Sequence, residues 1–194
     1  MPDPGAAGTE VLRLLEVTDR LFRECPWTRE QTHDSLRPYL LEEAHEVLEA
    51  LDTGDTDHLR EELGDLLMQI VFHARHAEGQ GGWDIDDVAA GIADKLVRRS
   101  PHVFADGSAA SADEVDAAWQ TIKAAEKRRS GPTEGIAATL PALARAQKVL
   151  GRVPDLSLEG DDLGSRLLRL VAEAEAAGLD AEGELRRAVA TRLA

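Results

Sequence analysis

Cysteine, aromatic side chains and positive charge are all scarce in this 194-residue chain, and no long apolar run occurs in it. The single cysteine, Cys25, excludes an internal disulfide, and with Pro26 behind it the residue reads as a turn position rather than a nucleophile. No stretch approaches the roughly 20 apolar residues that cross a bilayer, so no membrane span is expected. The small residues of Met1 to Gly8 form a tail without the basic and apolar regions of a secretory leader, and a cytoplasmic location is expected. Lysine and arginine number 22 against 37 acids, a net charge of −15. Such a field repels a phosphate backbone, so stable nucleic-acid binding is not expected. A small anionic substrate is repelled too, unless it arrives with a cation and meets a local cluster of the few basic residues. Aromatics make up only 4% of the chain. Trp27, in a short loop after Pro26, therefore either plugs the core or stacks on a base.

What is present is helical periodicity. With 43% hydrophobic and 30% charged residues, the chain holds one full domain and part of another. An all-α bundle is expected. A first helix from an N-cap at Thr9 to Glu24 carries Val11, Leu14, Leu15, Thr18, Leu21 and Phe22 on one face. After a loop at 25–29, Pro38 suggests that the next helix starts near there. The stretch from Leu40 to Ala74 reads as two antiparallel helices joined at Asp52 to Asp55, with Gly54 ending one and Asp55 or Thr56 capping the next. Asp84 to Ser100 is another amphipathic helix, and Ser111 with Glu114 is a capping box for the one after it.

The paired helices carry the chemistry. Glu42-Glu43-Ala44-His45-Glu46-Val47-Leu48 and Glu61-Glu62-Leu63-Gly64-Asp65-Leu66-Leu67 write the same pattern twice, nineteen positions apart. At 100° per residue, the apolar stripes Leu40, Ala44, Val47, Leu48, Leu51 and Leu59, Leu63, Leu66, Leu67, Ile70 are in register. Glu43 and Glu46 stand on one flank of the first, and Glu62 and Asp65 on the equivalent flank of the second. Packed antiparallel, the four carboxylates converge. Two carboxylates about 5 Å apart repel by roughly 3 kcal/mol at an effective dielectric near 20, a cost that a divalent cation removes. All-oxygen ligation suits Mg2+, with Mn2+ as a substitute, and not Zn2+. Beyond Asp65, Leu66, Leu67, Met68, Ile70, Val71, Phe72 and Ala74 surround the helix axis. Something must cover both sides, so a homodimer or a dimer of dimers is expected.

Glu42, Glu43 and Glu46 followed by Glu62 and Asp65, flanked by Cys25-Pro26-Trp27, Gln31-Thr32-His33 and Ser35-Leu36-Arg37-Pro38-Tyr39-Leu40, resemble the MazG family of all-α nucleoside triphosphate pyrophosphohydrolases. The likeness runs from about Val11 to Leu150. It implies Mg2+-dependent hydrolysis of a nucleoside triphosphate to the monophosphate and pyrophosphate, a reaction of nucleotide-pool sanitation. It also implies roles: metal ligation for Glu43, Glu46, Glu62 and Asp65, and water positioning or general base catalysis for Glu42, whose phase is opposite the stripe. Lys95 and Arg99, at i and i+4, would take the triphosphate with Arg98 behind them. Trp119 and Lys123 would meet the nucleoside and phosphate. His33 and His45 read as surface histidines or bases near the nucleotide. The alternative is a helical regulatory module that binds nucleotide or metal without turnover.

The expected organisation is a tail at 1–8, a catalytic domain at 9–130, a linker and helix at 131–150 and a helical tail at 151–194. In that last part Asp161-Asp162-Leu163-Gly164-Ser165 repeats Glu61-Glu62-Leu63-Gly64-Asp65 at an offset of 100. Either it is the remnant of a second, degenerate MazG-like domain, or it belongs to generic amphipathic helices.

Overall fold

A computed structural model describes residues 8–127 and 131–193. Among them are ten helices and no strand, as the periodicity predicts. They fall into two compact units, one up to Ser108 and one from Ala109 onward. The division lies before the helix with Trp119 and Lys123, so that helix is grouped with the later elements rather than with the acidic hairpin.

In the first unit, α1 (Thr9–Glu24) begins one residue earlier than expected: the N-cap is Gly8, at φ 96, and Thr9 is already helical. The expected loop at 25–29 contains a single helical turn, α2 (Pro26–Arg29), with proline at its first position. The long helix α3 (His33–Thr53) starts a full turn before Pro38 and keeps that proline inside. A reciprocal cap decides the start. Thr32 accepts from the Ser35 backbone N–H at 3.1 Å, and Ser35 Oγ accepts from the Thr32 N–H at 2.9 Å. Two orphan donors satisfied here outweigh the one intrahelical bond that Pro38 omits near the helix end.

The hairpin turn is as expected. Gly54, at φ 73, ends α3, and Asp55 caps α4 (Thr56–Gly79) by accepting from the Asp57 and His58 N–H groups at 3.0 and 3.1 Å. Then α5 (Ile85–Arg99) opens on a capping box between Asp84 and Asp87, and α6 (Pro101–Phe104) is one turn.

The hairpin's seam differs from expectation. The apolar stripes should meet between α3 and α4, yet Leu63, Leu67 and Ile70 are 49%, 37% and 39% exposed, and Leu48 and Leu51 are exposed too. The buried row of α3 is Leu36 and Ala50 with half-buried Glu43 between them, at heptad spacing. The facing row of α4 is Glu62, Asp65, Gln69 and Phe72. Residues seven apart lie within about 20° on a helix, so each row is one line along the contact. The most buried line thus takes in Glu43 and Glu62 and leaves Leu48, Leu51, Leu63, Leu67 and Ile70 exposed, while Leu40, Ala44, Val47, Leu59 and Leu66 are half-buried. Helix α4 also packs on α1, and Phe72 reaches it. Phe22 meets Phe72 edge to face at 5.5 Å, and Arg75 binds Asp19 at 3.0 Å.

In the second unit, α7 (Ala112–Lys127) is capped by Ser111 Oγ, which accepts from the Glu114 N–H at 3.3 Å. The Glu114 carboxylate reaches back to the Ala110 N–H at 2.8 Å, one residue earlier than a strict capping box requires. Helices α8 (Ala142–Leu150), α9 (Leu163–Ala176) and α10 (Ala181–Leu193) pack on one another. Gln147 of α8 clasps the α9–α10 turn, donating to the Leu179 carbonyl at 2.7 Å and accepting from the Ala181 N–H at 3.0 Å. In the stretch resembling the acidic motif, Asp162 is the N-cap of α9. It accepts from the Ser165 N–H at 3.0 Å and from Ser165 Oγ at 2.5 Å. The equivalent Glu62 and Asp65 lie in mid-helix.

Candidate active site

The hairpin brings acids from two helices to one place. A carboxylate oxygen from each of Glu43, Glu62 and Asp65 lies within 4.8 Å of the other two. The fourth expected ligand, Glu46, stands beside Glu43 on the same face of α3, close enough to raise the Glu43 carboxyl. Glu42 is exposed on the far flank, as its phase predicts.

Crowding shows in the titration of Glu43. Burial is the largest cause raising its carboxyl above the usual range, followed by the charge of Asp65, the Glu46 hydrogen bond and the charges of Glu46 and Glu62. Three charges make three repelling pairs, each worth about 3 kcal/mol at 5 Å and an effective dielectric near 20. Without a cation, Glu43 gives up its proton less readily than an isolated glutamate does. That behaviour, with an all-oxygen donor set from two rigid helices, fits a hard divalent ion; water would complete its coordination.

Glu62 is only 9% exposed, and His58 Nε2 lies 2.9 Å from its Oε1, one helical turn earlier. The contact orients the carboxylate from behind, as groups next to ligating residues commonly do. The sequence reading missed His58, although its i, i+4 spacing from Glu62 was a usable signal. Gln69 was missed as well. It continues the Glu62–Asp65 row by one turn, with its Oε1 buried and unpartnered.

The basic residues expected at the phosphates lie on two helices. Lys95 is half-buried, Arg98 is exposed, and Arg99 is only 7% exposed, all near the end of α5 in the first unit. Trp119 and Lys123 lie on α7 in the second unit, both half-buried. Lys123 borders a cavity within that unit, together with Lys148 and Arg152. Trp27 is 49% exposed and packs edge to face on Tyr39 at 6.0 Å, so it does not plug the core. His45 is exposed, whereas His33 meets His73 of α4.

Comparison with known proteins places this geometry. The profile of the MazG nucleotide pyrophosphohydrolase domain matches residues 31–104, the span of α3, α4, α5 and α6. A nucleoside triphosphate pyrophosphohydrolase of Escherichia coli K12 is 45% identical over 161 residues, covering 80% of this chain and 61% of the relative. Another, of Mycobacterium tuberculosis, is 42% identical over 184 residues, covering 94% of this chain and 55% of the relative. The chain thus spans a little over half the length of these curated relatives. The crystal structure of a mazG-related protein from Thermotoga maritima superposes with a TM-score of 0.51 at 31% identity, covering 58% of this chain and 97% of that one. An acid-lined helical hairpin, the matched domain profile and a solved relative covered almost end to end agree: the chain belongs to the MazG family.

Proposed function

We propose that this protein hydrolyses nucleoside triphosphates, ribo- or deoxyribo-, to the monophosphate and pyrophosphate. The observation that carries this reading is the convergence of Glu43, Glu62 and Asp65 from two helices within 4.8 Å, in a chain whose relatives are named for that reaction. Glu43, Glu62 and Asp65 hold Mg2+, for which Mn2+ can substitute, and Glu46 completes the acidic wall through Glu43. The bound ion supplies charge neutralisation at the phosphates and lowers the pKa of an attacking water. His58 keeps the Glu62 carboxylate turned inward. Exposed Glu42 is the group left to position the water or take its proton.

Lys95 and Arg98 approach the phosphates from α5, with Arg99 anchoring the end of that helix from a buried position. Trp119 and Lys123 would contribute to nucleoside and phosphate contacts. The chemistry calls for positioning and electrostatics, with no covalent nucleophile. The open apolar face of Leu48, Leu51, Leu63, Leu67 and Ile70 supports self-association through the hairpin, as a dimer or dimer of dimers. No helix among the described residues is long and apolar enough to cross a membrane, and the net charge of −15 disfavours nucleic acid. A cytoplasmic role in nucleotide-pool sanitation accords with these features.

The test is pyrophosphate release from a panel of NTPs and dNTPs, oxidised bases included, with Mg2+ and with Glu43→Ala as control. Turnover by the wild type, reduced on the order of 100-fold in the variant, is expected. The second reading is a helical module that binds nucleotide or metal without turnover. Nucleotide binding without pyrophosphate would establish it.

A further inference from the structure

Away from the acidic cluster, four rings gather where α3 starts. His33, the first residue of α3, lies with its Nδ1 2.7 Å from Nδ1 of His73 on α4. The two ring planes differ by only 9°, and the ring centres are 5.0 Å apart. That separation equals the 2.7 Å contact lengthened by a ring radius at each end. The nitrogens therefore lie on the line between the centres, and the rings meet edge on rather than stacked. This is the geometry of an N–H···N hydrogen bond. It does not suit a shared metal, because both lone pairs point at each other instead of converging on a third point.

Burial settles which nitrogen carries the proton. His73 Nε2 is buried with no partner. An orphaned acceptor is better tolerated inside a protein than an orphaned N–H. Hence His73 is protonated at Nδ1 and donates to His33 Nδ1, while exposed His33 keeps its own proton on Nε2. One further proton then has two places to go. On His73 Nε2 it creates a buried N–H with nothing to accept it. On His33 Nδ1 it opposes the N–H of His73 and breaks the bond.

The surroundings do not offset either outcome. His76 of α4 meets the His33 ring edge to face at 4.7 Å, and Trp83 lies 6.0 Å away. Around His76 are Arg29 of α2 and Arg75 of α4, and the acids on that side, Asp19 and Glu78, are taken by Arg75 at 3.0 and 3.3 Å. Asp34, beside His33, is taken by Arg37 at 2.6 Å. The N-terminal end of α3 also opposes a cationic imidazole there. Consistently, burial first, then His33 and His76, hold the His73 imidazole below its ordinary range.

We infer that His33 and His73 are positioning residues forming a proton-sensitive latch, which holds the first turns of α3 on α4 while both imidazoles are neutral and releases them when the pair takes up a proton. The latch fixes α3 ten residues, or about 15 Å, before Glu43, and so sets how that acid meets Glu62 and Asp65. Only this last link rests on the proposed hydrolysis.

Histidine 15N NMR of the full chain, with amide hydrogen exchange, tests it. At pH 7.5 a scalar coupling between the two Nδ1 atoms is expected, absent at pH 5.5. Protection factors of amides in 36–41 should fall about tenfold over the same interval, a local opening rather than global unfolding. His73→Asn, whose amide can occupy the Nδ1 position without titrating, should keep the pH 7.5 protection and lose most of the pH dependence. Pyrophosphate release by the wild type should fall in parallel below pH 6.5 and do so less in His73→Asn. No coupling at pH 7.5, or equal protection at both pH values, would overturn the latch, as would an unchanged pH response in His73→Asn. A chain that shows coupling and pH-dependent protection but releases no pyrophosphate retains the latch and loses only the proposed reaction.

Discussion

Glu43 is the residue on which the two halves of the acidic cluster turn. Its carboxyl titrates above the usual range in the fold, through burial first and then Asp65, Glu46 and Glu62, whereas in the unfolded chain it titrates normally. A group raised in this way adds stability below its unfolded pKa and loses it as pH rises through the folded value. Without metal the protein should thus be less stable at pH 7.5 than at pH 5 as far as Glu43 is concerned. Glu43→Gln should raise the metal-free Tm at pH 7.5 by a few degrees and abolish the further rise that Mg2+ brings to the wild type. Thermal melts in EDTA and in excess Mg2+ read both effects. His58 acts on the same cluster through Glu62, at 2.9 Å. His58→Ala should lower pyrophosphate release about tenfold and shift the Mg2+ requirement upward, with KM for the nucleotide little changed.

At the scale of elements, the acidic site depends on a hairpin whose turn is two residues long. Gly54 sits at φ 73, and a Cβ there would touch nothing within 4 Å, so any cost of adding one is purely that of the left-handed backbone. Gly54→Ala should destabilise by about 1 kcal/mol, lowering Tm by roughly 3 °C without altering the unfolding slope in urea. Local chemistry of this kind was legible. The turn and the Asp55 cap follow from adjacent residues. Pro38 points to a later start of α3, and the Thr32–Ser35 cap overrides it. Ser35 is an uncommon partner for that position, where glutamate or glutamine is the usual sign. The Ser111–Glu114 cap was legible in kind, and only its final hydrogen bond shifted by one residue.

At the scale of the whole molecule, the unexpected feature is an apolar face that the folded single chain leaves open. If Leu48, Leu51, Leu63, Leu67 and Ile70 bury against a second copy, Leu51→Glu with Leu67→Glu should halve the mass measured by light scattering while leaving the helical circular dichroism intact. An unchanged mass would place the contact elsewhere.

By itself, the sequence determined that the chain is helical, that two helices fold back at 52–55, that Glu43 and Glu46 share a flank of one helix, and that Glu62 and Asp65 share a flank of the other. These properties depend on neighbours three, four and seven residues apart, and helical geometry converts spacing into direction. The tertiary structure alone decided that Leu48, Leu51, Leu63, Leu67 and Ile70 stay exposed while Glu62 is buried, and that Glu43 meets Glu62 and Asp65 across the hairpin. It also decided that His33 meets His73 across forty residues of chain. Each of these depends on the rotation and axial offset of one rod against another. Periodicity repeats within a helix and carries no information about where its partner's repeat begins.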